Sequence, residues 1–529
     1  MKRFLIPICV LLIMLVGCQT AFSPKPSPTL TPTPSITPIN TLASTSTVTL
    51  TPSFTSTPSK FKPAECQFEA PFTMDMQCGF LTVPEDRSRE NSPEIQLHFA
   101  IVHSENPNPA PDPIVILHGG PGGYTLDMLH YWLSIFGYPH LDRDLIILDQ
   151  RGIGYSTPSL NCPEAQDQWF QDWTKDLSMQ EADQNYNRAL KACYDRLLGE
   201  GINPSTYTTA ANATDLEDLR LTLGYSEWNL YGSSYGTRLA LTSMRDHPAG
   251  LRSVILDSVF PPQADLYSSI PADMERSLEL VFSSCASDPA CHQAYPDLEA
   301  AFYKLVTQLD AQPKAFKLYR SSTHSFYNML LNGDRFIWAV FQLLFMTDQI
   351  RLLPWHIYSF LQGETARFTE VLTWSIVSDD SWSEGMYYSI QCNEEEPFSS
   401  QEMLESANMN VTARLVEAFN PGQIYQICSD WETTPAPSLE SEAVTSDIPT
   451  LILSGEFDPI TPPDWARSTA ETLSKYQLFV FPGFGHGVLG SGADGGACAL
   501  EIASRFLAYP TAPVDASCID SLQLEFRTG

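Results

Sequence analysis

The sequence predicts an α/β fold: a mostly parallel sheet flanked by helices, with a mostly helical cap inserted after the sixth strand. Three observations carry that reading. Short apolar runs ending in glycine, such as Pro113–Gly120 and Leu145–Gly152, fit strands buried on both faces. Helical patterns fall between them. The alternation lapses over residues 263–440 and returns with Thr450–Pro459 and Tyr476–Gly487.

The chain begins with an address. Lys2 and Arg3 precede the apolar run Phe4–Val16, which falls short of the roughly 20 residues that span a bilayer. Leu15-Val16-Gly17-Cys18 follows the pattern of a bacterial lipobox, so residues 1–18 read as a lipoprotein signal with Cys18 as the lipidated residue. Residues 19–62, nearly all Thr, Ser and Pro, have nothing to bury and read as an extended tether. At about 3 Å per residue it reaches roughly 100 Å.

The 529 residues carry 30 basic and 62 acidic side chains, a formal charge of −32. That field repels nucleic acid and anionic membranes and favours cationic partners. Nucleic acid is therefore not an expected partner, and membrane contact is expected through the lipid anchor only. A monomer is expected.

Of the 12 cysteines, ten remain once Cys9 and Cys18 are set aside. Their order suggests the local disulfides Cys66–Cys78, Cys162–Cys193, Cys285–Cys291, Cys392–Cys428 and Cys498–Cys518, although spacing alone does not fix connectivity. An even set in an exported chain suits an oxidising compartment. No CxxC or His-rich spacing calls for a metal, and no cofactor is expected.

The elements follow in order through residues 63–262. Phe80–Pro84 and Ile95–Val102 read as an antiparallel pair, and Ala213–Gly224 as a helix with Leu216, Leu219 and Leu223 on one face. Trp228–Gly236 reads as strand and turn, then a helix stopped near Pro248, then the strand Ser253–Pro262. After the cap at 263–440, residues 441–529 complete the sheet.

Strand, Gly232-Ser233-Ser234-Tyr235-Gly236, helix is the context that makes Gly-x-Ser-x-Gly informative. Ser234 is the candidate nucleophile, pushed out at a helix N-terminus where the dipole favours developing negative charge. Ser233 reads as structural. A serine hydroxyl needs a base. His486, after the strand Leu478–Pro482, is the candidate, and Asp458, after Thr450–Phe457, is its orienting acid, with Asp464 and Asp257 as rivals. The glycine loop His118–Gly123 lacks the Lys and Ser/Thr of a phosphate loop and suits an oxyanion hole. Gly120 and Tyr235 are assigned as donors, with Gly119 as the rival of Gly120 and His118 as a structural residue.

HGGPGG (118–123), DQRGIGYS (149–156), GSSYG (232–236), GEFDPITP (455–462) and GFGHG (483–487) together resemble the α/β-hydrolase serine aminopeptidases of the prolyl aminopeptidase family. CGFLTVPEDR (78–87), SSCASDPAC (283–291) and the region from about 420 to 518 resemble its secreted tripeptidyl-aminopeptidase-like branch. The resemblance spans most of residues 64–520. It implies a cleft between sheet and cap, a Ser234–His486–Asp458 triad, and release of short peptides or single residues from free N-termini. It also implies cap carboxylates that hold the substrate amine. Gln391–Pro397 supplies the candidates Glu394 and Glu395, ahead of Glu396. A carboxylesterase using the same triad is the alternative, and a non-catalytic surface binding protein the remote one.

Overall fold

The computed structural model describes residues 60–529 apart from 70–73, 138–141, 321–322, 378–380 and 493. The signal, Cys18 and the tether as far as residue 59 lie outside the described residues. Eleven strands are described: β1 (Lys60–Ala64), β2 (Met76–Pro84), β3 (Glu94–Val102), β4 (Ala110–Leu117), β5 (Arg143–Leu148), β6 (Trp228–Ser233), β7 (Leu251–Asp257), β8 (Lys314–Arg320), β9 (Ser325–Leu331), β10 (Thr450–Gly455) and β11 (Tyr476–Phe481). Nine of them form one sheet in the order β1-β2-β3-β5-β4-β6-β7-β10-β11. The pairs from β1 to β5 run antiparallel, and those from β5 through β4 to β11 run parallel. Side chains from β4 to β7 and β10 are buried on both faces, as the apolar runs require.

Two expectations change. The tether was expected to run to residue 62, yet Lys60–Ala64 pairs with β2, and Phe61 packs its ring 5.5 Å from Phe99. Pro63 is tolerated because the strand is an edge. The cap therefore follows the seventh strand of the chain, not the sixth. Within the cap, β8 and β9 form a hairpin among the helices. Phe316 and Leu318 face inward with Met329 and Leu331, a period of two that the aromatic density of the region hid.

The helix expected at 213–224 begins earlier. Thr208 caps it by accepting from Ala211 N–H at 3.1 Å, and it ends at Gly224 with φ 79°. Two further helices, Pro163–Trp173 and Met179–Gly199, rise toward the cap. All five cysteine pairs are disulfides, with S–S separations between 1.95 and 2.10 Å. Such a set suits an oxidising, extracytoplasmic setting. Among the described residues no helix is long and apolar enough to cross a membrane.

The sheet registers Leu117 beside Gly232, Ser233 beside Asp257, and Gly455 beside Phe481. Loops leaving the C-terminal ends of β4, β6, β10 and β11 therefore emerge along one edge. That edge is where an open α/β sheet binds ligands.

Candidate active site

Ser234 stands between β6 and the helix Tyr235–Asp246 at φ 56° and ψ −126°, a conformation a non-glycine residue rarely adopts. The flanking glycines make this turn possible. A Cβ on Gly232 would lie 2.4 Å from the Gly236 carbonyl oxygen, and one on Gly236 would lie 1.9 Å from that of Leu117. No side chain fits at either position. Ser234 N–H donates to the Asp257 carbonyl at 3.0 Å, and Thr237 N–H returns to the Ser234 carbonyl at 2.8 Å.

His486 Nδ1 is 2.8 Å from Asp458 Oδ2. Asp458 is fully buried and also accepts from Ile460 N–H, Thr461 N–H and the Thr461 hydroxyl at 3.0, 2.9 and 2.7 Å. That acid fixes the proton on Nδ1, which leaves Nε2 with its lone pair. His486 and Ser234 line one cleft of about 630 Å³ between the sheet and the cap.

The two rival aspartates do other things. Asp257 accepts from Tyr231 OH and from Val488 and Leu489 N–H at 3.0, 2.8 and 2.9 Å, so it holds the loop that carries His486. Asp464 is exposed and paired with Arg467. The cap grips the same loops: His486 N–H donates to the Phe345 carbonyl at 2.9 Å, and Ser277 Oγ donates to that of Asp458 at 3.2 Å.

Burial lowers the His486 pKa, but the Asp458 charge and hydrogen bond outweigh it, and Asp257 adds to the rise. The net shift is upward from the ordinary value near 6.5. Asp458 is held below the usual carboxylate range: burial raises it, and the His486 charge together with the hydrogen bonds from His486 and Thr461 more than compensates. A base works only when neutral. The acid limb of kcat/KM is therefore expected above pH 6.5, with activity lost as pH falls through the His486 pKa. Asp458→Asn should move that limb downward while lowering the plateau. A pH–rate profile of both proteins checks this, and an acid limb below 6.5 in the parent would contradict the pairing.

The glycine loop lies against the Ser234 turn, where a Cβ on Gly119 would come 2.8 Å from that of Ser234. Gly119 N–H donates to His118 Nδ1 at 2.8 Å, which leaves Gly120 as the available donor of the pair. His118 accepts through Nδ1 as a neutral ring, and burial pushes its pKa down to about 4. Tyr235 opens its helix, so its N–H has no intrahelical acceptor. Its hydroxyl lies 2.9 Å from Thr209 Oγ1.

Glu394 and Glu395 are not brought to the cleft. They sit in a π-turn, Gln391–Glu395, that Cys392 ties to Cys428 and that turns both side chains inward. Glu394 accepts from Thr209 N–H at 2.6 Å and from its hydroxyl at 2.5 Å, and lies 3.6 Å from Arg238 Nε. Glu395 forms an ion pair with Arg238 Nη1. Arg238 is 1% exposed on the helix Tyr235–Asp246, and a cation buried there requires these carboxylates. Burial raises both acids, Glu395 to about 8.

The carboxylate that does line the cleft is Glu384, which sequence reasoning missed. It opens the helix Glu384–Ile390 behind the cap residue Ser383, whose hydroxyl accepts from Met386 N–H at 3.3 Å. Ser383 N–H donates to the Gly122 carbonyl and Tyr124 N–H to that of Ser381, each at 3.0 Å. Those bonds seat Glu384 against the glycine loop. It is 7% exposed and accepts from Gln166 Nε2 at 3.4 Å. The remaining walls are aromatic, with Trp169, Trp338, Phe341, Phe345 and Trp382. Among the described residues no group of three His, Cys, Asp or Glu could hold a metal ion.

A sharp serine turn at the sheet's C-terminal edge, lining one cleft with a histidine paired with an aspartate, fits a hydrolase of α/β architecture. Residues 112–493 match the family described as alpha/beta hydrolase fold, and the chain belongs to it. The chain is similar to the putative hydrolase YuaR of Escherichia coli (strain K12), 22% identical over 84% of this chain and 88% of that protein. It is similar to the serine protease Hip1 of Mycobacterium bovis, at 23% over 82% of this chain and 86% of the relative. A third relative is the tripeptidyl aminopeptidase of Streptomyces lividans, 27% identical over 38% of each chain. These relatives support a peptidase branch of the family.

Proposed function

We propose that this protein is an exported serine aminopeptidase that removes short peptides or single residues from free N-termini. Ser234 attacks the scissile carbonyl while His486 Nε2 takes its proton, and Asp458 stabilises the resulting imidazolium. The N–H groups of Gly120 and Tyr235 hold the tetrahedral oxyanion. His486 then protonates the leaving amine, and water hydrolyses the acyl-enzyme by the same route.

The observation that carries the aminopeptidase reading is Glu384. A buried carboxylate at a helix N-terminus, in the same cleft as Ser234, suits a substrate ammonium and fixes its distance from the scissile bond. The −32 charge of the chain favours recruitment of such cations. Similarity to a tripeptidyl aminopeptidase and a serine protease supports peptides as substrates. The disulfides support export, and lipidation at Cys18 would tether the catalytic domain outside the cytoplasm.

The aromatic walls favour a second reading, a carboxylesterase. Assay of the purified protein on aminoacyl and tripeptidyl anilides beside a short acyl ester separates the two. An aminopeptidase turns over the anilides. Hydrolysis of the ester alone would overturn the proposal.

A further inference from the structure

Behind the cleft lies a second chamber of about 320 Å³. The two spaces share Trp169, Tyr186 and Trp338 as a common wall. Its far side is built from the helix Met179–Gly199 and the start of the helix Gly333–Phe345. The chamber plays no part in the chemistry assigned to Ser234, and two features give it a chemical character of its own.

The first is a cluster of three indoles. Trp169 lies 4.8 Å from Trp173 and 6.3 Å from Trp338, and Trp173 meets Trp338 edge-on at 5.5 Å. Indole faces attract cations, most strongly where water is thinned. Arg335 already illustrates this, with its guanidinium 5.1 Å from the Trp173 ring centroid. Its N–H groups are engaged by the carbonyls of Asp172, Trp173, Lys175 and Leu330, and its charge interacts with the chamber carboxylates Asp172 and Asp334.

The second feature is the set of acids. Asp334 is paired with Arg414 outside the chamber, and Asp172 accepts from Gln168 and Asn185 at 2.9 and 3.0 Å, with the Lys175 ammonium 3.9 Å away. Asp183 differs. Its hydrogen bond is with the Asn420 amide at 2.5 Å, a neutral donor. Burial and neighbouring Asp334 raise its pKa, against the Asn420 bond, as befits an acid short of positive charge.

We infer that this chamber is a side-chain subsite for a lysine or arginine near the N-terminus of the peptide substrate, its cation placed between Asp183 and the indoles. The inference rests on the peptidase reading for its substrate class, with the α-ammonium assigned to Glu384. The long alkyl stem of such a residue would lie along the indole wall between the two spaces, and its charged head would meet the acid. Norleucine matches that stem and lacks the charge, so comparing the two isolates the cation.

Binding to the Ser234→Ala protein provides a test that needs no turnover. Tripeptide amides with a free N-terminus carry lysine or norleucine at the first, second or third residue, and tryptophan fluorescence reports occupancy. At one position the lysyl peptide is expected to bind at least ~10-fold more tightly than its norleucyl twin, the scale of a partly desolvated ion pair. In the Ser234→Ala, Asp183→Asn double variant that ratio should fall to near one, with the Asn420 bond still available to the amide. Equal binding of the twins at every position overturns the subsite, as does a preference that survives Asp183→Asn. Turnover of the alanyl tripeptide anilide by the parent, measured in parallel, reports on the peptidase reading separately. Its failure together with a lysyl preference would leave the chamber standing and remove the reaction.

Discussion

Ser234→Ala is expected to abolish hydrolysis of every substrate, with kcat lower by roughly 10⁴–10⁶, the range for loss of a nucleophile that acts as one unit with its base. Ser233→Ala should keep most of the activity. The two serines are adjacent, but Ser233 is the last residue of β6, in register with Asp257, while Ser234 alone occupies the strained turn at φ 56°. A fluorophosphonate should label the parent protein once, and mass mapping should place the adduct on Ser234. An adduct on Ser233 would overturn the assignment.

Glu384→Gln should separate peptides from esters. An ammonium entering the cleft meets a partner that is 7% exposed, so truncating the charge should cost about 2–5 kcal/mol in kcat/KM for free-amine substrates. That is roughly 30- to 5,000-fold. A short acyl ester carries no cation and should change by only a few-fold. Glu394→Gln is the contrasting variant. It disturbs the buried contact with Thr209 and Arg238, so it should lower the melting temperature and affect all substrates alike. Should Glu384→Gln depress ester and peptide equally, its role is structural and the amine is held elsewhere.

The contrast between these two glutamates marks what was legible in the sequence. Ser234, Asp458 and His486 each follow an apolar run with glycine close by, so local pattern located strand, loop and side chain together. The glycine loop was legible for the same reason. The amine partner lies in the cap, where no short-range pattern states which way a carboxylate faces. Three consecutive glutamates drew attention to residues 394–396, yet the π-turn directs the first two toward Arg238, 156 residues earlier in the chain for Glu394. Glu384 had one local signal, a serine ahead of a glutamate at a helix start. Its place beside the glycine loop depends on bonds from Ser381 and Ser383 to a distant turn. The helices Pro163–Trp173 and Met179–Gly199 were missed likewise. They contribute Gln166, Trp169 and Tyr186 to the cleft from a stretch assigned to the sheet domain. The hairpin β8–β9 escaped because its alternation is short and embedded among aromatic helices.

One comparison on the parent enzyme bears most directly on whether the cleft reads a free N-terminus: kcat/KM for a tripeptidyl anilide against its N-acetylated twin. Acetylation removes the positive charge and leaves the scissile bond, the side chains and the leaving group unchanged. The buried Glu384 carboxylate then faces an amide in place of an ammonium, and the free peptide should be cleaved at least ~30-fold faster, about 2 kcal/mol. Equal cleavage of the twins would contradict the aminopeptidase reading and leave an endopeptidase or an esterase built on the same serine.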